Sequence, residues 1–181
     1  APNAISDLEI TGILNALKAP DEAKTSGTIV KATLNWTPSS DALLYATYSE
    51  GFRPGLLNRP GGASNADGYV VPFELMTDEV TNLEFGWKTD LMEGQLRFNG
   101  SAFYAEIENL QTTIFDPSIA NLFFSDNAAN ARISGLEADF IYAPDAVMGL
   151  TLSGGVSFLD TKITRVLTPT DDVVRGDSLA F

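Results

Sequence analysis

The chain has 181 residues, and its 24 acidic against 11 basic side chains give it a net charge of −13. That balance disfavours a nucleic-acid binder, because such proteins need basic side chains to displace counterions from phosphates. There is no cysteine and no histidine, so thiol nucleophiles, thiolate zinc sites and the Ser-His-Asp triad are excluded within this sequence. The length alone is that of one domain.

From residue 28 onward, apolar and polar residues alternate with the two-residue period of β-strands. The pattern predicts six strands, over residues 28–37, 42–51, 78–91, 95–108, 130–143 and 150–162. Turn residues predict short connections near 38–41, 92–94 and 144–149. Long loops are expected over 52–77 and 109–129, and both ends are predicted as loop, with a helical turn considered only at 15–18.

Each predicted strand has one apolar, aromatic face and one polar face. The polar faces carry the charged residues Lys31, Glu84, Lys88, Arg97, Glu137 and Asp139. With short turns at one rim and long loops at the other, this pattern is typical of an outer-membrane β-barrel. A soluble antiparallel sheet with one buried face alternates in the same way, so alternation alone leaves both classes open. Strands of ten or more residues favour the barrel, since soluble strands usually have about five to six.

Two other membrane-related signals are missing from the sequence. No apolar run reaches the roughly 18 residues that a transmembrane helix needs. The first ten residues, APNAISDLEI, lack the basic and apolar regions of a signal peptide. Neither observation argues against a barrel, because barrel strands cross a membrane with only about ten residues each.

Four blocks of sequence resemble the TonB-dependent outer-membrane receptors. They are ALLYATYSEGFRPG at 42–55, EVTNLEFGWKTDL at 79–91, QLRFNGSAFYAEIENLQ at 95–111 and NARISGLEAD at 130–139. The first block matches the Tyr-Ser-x-Gly-Phe-Arg-x-Gly signature of that family, and the second matches its Glu-x-Gly-x-Lys strand. The blocks occur in the family's order and spacing, and the resemblance covers roughly residues 27–160.

The resemblance implies an all-β fold, a transmembrane antiparallel barrel of about 22 strands filled by a plug domain. We expect residues 1–181 to form about six interior strands of such a barrel, without the plug and without the TonB box. The implied location is the Gram-negative outer membrane. The implied function is active uptake of a scarce, bulky nutrient, most often a ferric siderophore, energised through TonB.

The same resemblance implies a set of partners. They are TonB, the plug domain of the same protein, the lipid bilayer, and a small-molecule or metal-chelate substrate. Nucleic acid is not expected as a partner, and no cofactor is expected.

Five charged residues are candidates for lining the lumen or the substrate path: Arg53, Glu84, Lys88, Arg97 and Glu137. Glu84 and Lys88 are four residues apart on one strand and so share a face. We expect them either in an ion-pair ladder with Arg97 or in contact with the plug. Arg53 follows a strand end, where it either pairs with plug or substrate carboxylates or fixes the strand end itself. No catalytic or metal-binding residue is predicted.

A soluble β-sandwich that binds carbohydrate is the alternative hypothesis. The aromatic content and the strand pattern are compatible with it, because the apolar strand faces would then form a core between two sheets. An enzyme ranks third, since no nucleophile–base pair and no cluster of metal ligands supports one.

Overall fold

The fold is a six-stranded antiparallel sheet preceded by one helix. The computed structural model describes residues 7–58, 61–64, 68–115 and 123–168. Helix α1 covers Asp7–Lys18, and the strands are β1 (Lys31–Ser39), β2 (Ala42–Arg53), β3 (Asp78–Leu91), β4 (Leu96–Phe115), β5 (Phe123–Tyr142) and β6 (Leu152–Val166). Each strand pairs with the next one along the chain, in the order β1 to β6, so the prediction of six antiparallel strands is confirmed.

All six strands lie in one sheet. A β-sandwich needs a second sheet packed on the first at about 10 Å, and the described ranges contain none. The described residues therefore do not form the β-sandwich of the alternative hypothesis. In the part of the chain that the structure describes, no helix is long and apolar enough to cross a membrane.

The predicted loop at 109–129 is partly wrong, because β4 and β5 each run for 20 residues. Their pairing continues from Gln111 opposite Asn127 to Phe115 opposite Phe123, beyond a bulge between Ile107 and Gln111. A bulge inserts unpaired residues and shifts the alternation, which hides the continuation from a search for period two. The middle of that predicted loop, 116–122, lies outside the described residues.

The ends of the chain also differ from the prediction. Residues 7–18 form a helix where loop was expected, and their apolar residues at 10, 13, 14 and 17 follow the helical spacing. Strand β6 ends at Val166 rather than at 162, and β1 begins at Lys31 rather than at 28. Residues 169–181 lie outside the described part.

The strand register separates the side chains onto two faces. One is the apolar face, formed by Leu34, Trp36, Leu44, Leu83, Phe85, Trp87, Phe98, Leu136, Phe140, Val156 and Phe158. The other is the polar face, formed by Lys31, Tyr45, Glu84, Lys88, Asn99, Ser101, Glu137, Asp139 and Ser157. The apolar face is largely exposed, with Phe85 at 50% and Phe158 at 67% of their full accessibility.

The polarity of the two faces is exchanged near the end of the sheet that bears the long connections. Above a row that contains Tyr48, Leu83 and Tyr104, the formerly apolar face becomes charged. The first charged row, called here the outer row, consists of Glu50, Thr81, Glu106, Arg132 and Lys162. At the same level the opposite face becomes apolar, and Ala131 and Ile163 are buried there.

The only sizeable core of the described residues lies at this upper end of the sheet. The described residues of 54–77, called here the cap segment, pair with one another through β-bridges from Leu57 to Glu74 and from Ser64 to Val70. Val71 and Leu75 of the cap segment are buried, as is Phe124 of β5. The cap segment is thus packed against the projecting ends of β4 and β5 rather than extended into solvent.

Glycines and aromatic rings face each other directly at four strand pairs. Tyr45 lies opposite Gly86, Trp87 opposite Gly100, Phe103 opposite Gly135, and Phe140 opposite Gly154. In each pair the ring covers the glycine so closely that an added Cβ would lie within 3 Å of it. The missing glycine side chains make room for these rings, and each pair joins two neighbouring strands.

Candidate functional site

The polar face contains a groove of about 680 Å³ that is lined by residues of five strands, β2 to β6. Its lining includes Tyr45, Lys88, Asn99, Ser101, Glu137, Asp139 and Ser157. Two predicted site residues, Lys88 and Glu137, are therefore brought together here. Gly155 lines the groove and places no side chain on this part of the face.

Glu84 lies one row above the groove and is held by Tyr45. The Tyr45 hydroxyl donates a hydrogen bond of 2.6 Å to Glu84 Oε1. The Tyr45 ring also lies over Gly86, where an added Cβ would be 2.2 Å from it, and from this position its hydroxyl reaches Glu84. Charge-assisted bonds of this type are stronger than neutral ones.

The remaining acidic side chains of the groove have neutral partners. Ser157 Oγ donates to Glu137 Oε1 at 3.2 Å, and Asn99 Nδ2 donates to Asp139 Oδ2 at 3.1 Å. Lys88 makes no hydrogen bond and no ion pair with any described residue. The groove thus presents the Lys88 ammonium, which has no ion pair among the described residues. It also presents the carboxylates of Glu137 and Asp139, each of which can accept further hydrogen bonds.

The expected ion-pair ladder from Glu84 and Lys88 to Arg97 is not formed among the described residues. Arg97 lies directly opposite Asp90 and binds both of its oxygens, with Nε to Oδ1 at 2.8 Å and Nη2 to Oδ2 at 3.2 Å. The Arg97 guanidinium and the Asp90 carboxylate thus form a bidentate ion pair, with two roughly parallel hydrogen bonds. Lys88 instead lies opposite Asn99, which carries no charge.

Arg53 lies at the upper end of the polar face, far along β2 from the groove. Its guanidinium binds the Asp78 carboxylate, through Nε at 3.0 Å and also through Nη2. Nη2 further donates to the Gln111 carbonyl at 2.9 Å. These contacts join the end of β2, the first residue of β3 and Gln111 within β4, so they hold the start of the cap segment, and about half of the Arg53 side chain stays exposed.

Three carboxamide side chains anchor the cap segment, and the sequence analysis did not identify this role. Asn127 accepts from the Met76 N–H and donates to the Met76 carbonyl, both at 2.8 Å. Gln111 Nε2 donates to the carbonyls of Pro54 and Met76. Asn58 bonds both the N–H and the carbonyl of Ser125. Asparagine and glutamine in loops are too common for their position alone to reveal such anchoring.

Aromatic side chains lie on the projecting part of the sheet. The exposed rings of Phe115 and Phe123 contact each other with centroids 5.0 Å apart. Tyr69 of the cap segment packs on Phe124 and donates its hydroxyl to Asp126. This end therefore combines an exposed apolar pair with a polar, hydrogen-bonded loop. No described residues form a group of three or more acidic side chains that could hold a metal ion.

Comparison with known proteins agrees with this architecture. A family model described as TonB dependent receptor-like, beta-barrel, matches residues 14–181. Metal-pseudopaline receptor CntO of Pseudomonas aeruginosa, in strains UCBPP-PA14 and PAO1, is 28% identical over 136 residues, covering 75% of this chain. The chain spans only 16% of the length of these relatives.

A solved structure is also similar. It is the crystal structure of BauA, the ferric preacinetobactin receptor from Acinetobacter baumannii, at 26% sequence identity and a TM-score of 0.49. The match covers 74% of this chain and 18% of that chain.

Proposed function

The chain belongs to the TonB-dependent receptor-like β-barrel family, and from this premise we propose that the complete protein imports a metal chelate across the outer membrane. Proteins of this family are outer-membrane barrels of Gram-negative bacteria, so the chain is part of an outer-membrane protein and not of an enzyme. The two-faced sheet is the observation that carries the proposal, because it offers one surface to lipid and another to a polar interior.

The apolar face contacts the hydrocarbon of the bilayer. On β3 it extends from Leu83 to Leu91, and on β4 from Leu96 to Tyr104. A span of that length suits the roughly nine to eleven residues of a tilted transmembrane strand. At a tilt of about 40° it covers roughly 23 Å, close to the apolar band of about 25 Å in outer-membrane barrels.

The polar face lines the lumen, where water and the plug domain of the same protein meet it. Glu84, Lys88, Arg97 and Glu137 are the lumen-lining residues of this part of the wall. Lys88 and Glu137 offer the plug or the passing substrate a charged contact, because the groove around them leaves Lys88 without a partner among the described residues. Arg53 acts indirectly, by holding the cap segment in place.

The cap segment and the projecting β4–β5 hairpin form outer-mouth surface on the extracellular side. Long loops face outward and short turns face the periplasm in such barrels, which orients the sheet. A metal chelate is the proposed cargo because the similar protein from Pseudomonas aeruginosa is a metal-pseudopaline receptor. A ferric siderophore is the first cargo to test. TonB supplies the energy through a region of the protein beyond these residues.

Uptake by the full-length protein in its outer membrane tests this proposal. Cells that carry it as their only receptor are given radiolabelled ferric siderophores and other metal chelates of the metallophore class. We expect accumulation of at least one chelate that stops when TonB is deleted or the proton-motive force is collapsed, while binding at the cell surface persists.

Two results would contradict the proposal. One is accumulation that continues unchanged without TonB, which would indicate passive diffusion. The other is a complete lack of chelate binding by a receptor that is correctly inserted in the outer membrane. Recovery of the full-length protein in the soluble fraction without detergent would overturn the membrane assignment itself.

A further inference from the structure

The outer row carries an uneven distribution of charge. Over β2 to β4 it holds Glu50 and Glu106, with Glu79 and Glu108 paired directly above them. Over β5 and β6 it holds a basic pair, Arg132 opposite Lys162. The acidic side repels anions, and the basic side attracts them, so only the β5–β6 side of this row suits an anionic partner.

The basic pair retains unused donors. Arg132 Nη2 approaches Asp160 Oδ2 only to 3.9 Å, and Arg132 Nε is buried without a hydrogen-bond partner among the described residues. Lys162 makes no hydrogen bond and no ion pair with any described residue. A buried polar group without a partner costs free energy, which an external acceptor would recover.

An apolar groove on the same face spans β1 to β4, and its edge at Tyr104 lies beside Arg132. It measures about 700 Å³. Its upper edge is formed by Tyr48 and Tyr104, and its floor by the small residues Ala46 and Ala102 between larger neighbours. Tyr104 lies beside Arg132 and donates its hydroxyl to Glu106 at 2.7 Å. The groove is open because these small residues leave space on a face that is otherwise covered by Leu and Phe side chains.

We propose that Arg132 and Lys162 bind the phosphate of an anionic lipid of the outer leaflet, with an acyl chain of that lipid in the groove below Tyr104. The inference rests on the orientation given under the proposed function, which puts the outer row at the headgroup level. Charge complementarity and the adjoining groove identify one occupant with a phosphate head and a hydrocarbon tail. Basic residues at a membrane surface attract anionic headgroups in this way.

The test uses the full-length receptor, purified from outer membranes in a mild non-ionic detergent. Native mass spectrometry and phosphorus analysis measure the phosphorylated lipid that stays bound. The double variant R132Q/K162Q is expected to retain roughly 25-fold less lipid, since each of the two basic residues near a membrane surface contributes roughly a fivefold factor. The matched control, K31Q/K88Q, removes two charges from the polar face and is expected to retain the lipid.

Further arms make the outcome decisive. R132K/K162R keeps both charges and is expected to keep the lipid, so its loss there would assign the effect to packing and overturn the proposal. Equal lipid in the wild type and R132Q/K162Q would also overturn it. Displacement of the lipid by millimolar inorganic phosphate would show a general phosphate site instead of a headgroup site.

Chelate binding measured on the same preparations separates this proposal from the proposed function. Loss of lipid from R132Q/K162Q in a receptor that binds no chelate would support the lipid site and contradict the transport role alone. Chelate binding by the receptor, together with unchanged lipid in R132Q/K162Q, would support the transport role and contradict the lipid site.

Discussion

Side-chain amides take over the role of backbone pairing where the sheet projects. Beyond Ala128 the edge of β5 has lost β6 as a neighbour, because β6 ends at Val166 opposite Ala129 and the next N–H, that of Leu167, bonds the Ala128 carbonyl. Asn58 replaces that neighbour by bonding the N–H and the carbonyl of Ser125, at 2.9 and 2.8 Å. A carboxamide offers the same donor and acceptor as a peptide group, so one side chain substitutes for one residue of a strand.

Asn127→Ala is predicted to loosen the cap segment. Asn127 is 5% exposed, and the substitution would leave the Met76 N–H and the Asn109 carbonyl without their side-chain partner, while the Met76 carbonyl would keep only Gln111. Each such buried group costs about 1–3 kcal/mol. We expect amide hydrogen exchange of residues 54–77 in the full-length protein to accelerate at least about tenfold.

Asn35→Ala is the matched control for that variant. Asn35 lies on exposed β1 and makes no hydrogen bond with a described side chain, so its removal should leave the exchange of the cap segment unchanged. Equal exchange in both variants would show that the Asn127 hydrogen bonds do not hold the cap segment.

Strands are locked to one another by the rings that lie on glycines. Tyr45 on Gly86 and Phe103 on Gly135 lie on the polar face, whereas Trp87 on Gly100 and Phe140 on Gly154 lie on the apolar face. The pairs therefore alternate between faces from one strand pair to the next. Such packing compensates for the entropy that glycine loses in a strand, since the ring fills the space of the missing side chain.

Gly86→Ala is predicted to destabilise the β2–β3 pair by about 1–3 kcal/mol, because overpacking forces side chains out of their rotamers. The new Cβ would lie 2.2 Å from the Tyr45 ring, and moving the ring breaks the hydrogen bond to Glu84. Denaturant unfolding of the full-length protein in detergent measures the loss.

Two further variants isolate the cause. Gly155→Ala, also on the polar face, meets its nearest heavy atom at 3.3 Å and should cost much less. In the double variant with Tyr45→Ala, the cost of Gly86→Ala should largely disappear, because its clash partner is gone. Additive costs would refute the ring-on-glycine explanation.

Alternation predicted the strands and their faces well because each spanning strand keeps its two-residue period without interruption. It failed at Asn109, whose φ of 53° belongs to the left-handed region that asparagine tolerates better than most residues. The bulge there reverses the pattern, so paired residues beyond it read as loop. The partners of Arg97 and Glu84 also escaped prediction, because they depend on cross-strand register, which alternation within one strand does not contain.

The molecule as a whole is divided by the level at which its two faces exchange polarity. Below Tyr48 and Tyr104 the apolar face points away from the polar groove, and the sheet is one layer thick. Above them, the cap segment covers the apolar side and charged residues occupy the other. The apolar face of the lower part suits contact with lipid, and the charged outer side of the upper part suits contact with water.

Val156→Lys is predicted to cost about 2–4 kcal/mol, the range for a lysine on the lipid face near the bilayer midplane. Val156 is 63% exposed and lies opposite Ala138, in the middle rows of the apolar face. The neighbouring variant Ser157→Lys, on the polar face, should cost little, because Glu137 is within reach of the new ammonium.

Refolding of both full-length variants into lipid vesicles, followed by denaturant titration, measures this difference. Similar stabilities of the two variants would contradict lipid contact by the apolar face. The comparison holds strand, depth and added charge nearly constant, so only the face differs.

The anchoring of the cap segment has a consequence for how such receptors diversify. Among the described residues, its hydrogen bonds to other parts of the chain go to the projecting parts of β4 and β5 and, from Thr77, to Thr25, and not to the membrane-spanning rows. Mutations in the cap and in the hairpin tip can therefore accumulate without disturbing the register of the spanning strands. Selection can thus alter the recognition surface while the wall beneath it is inherited unchanged.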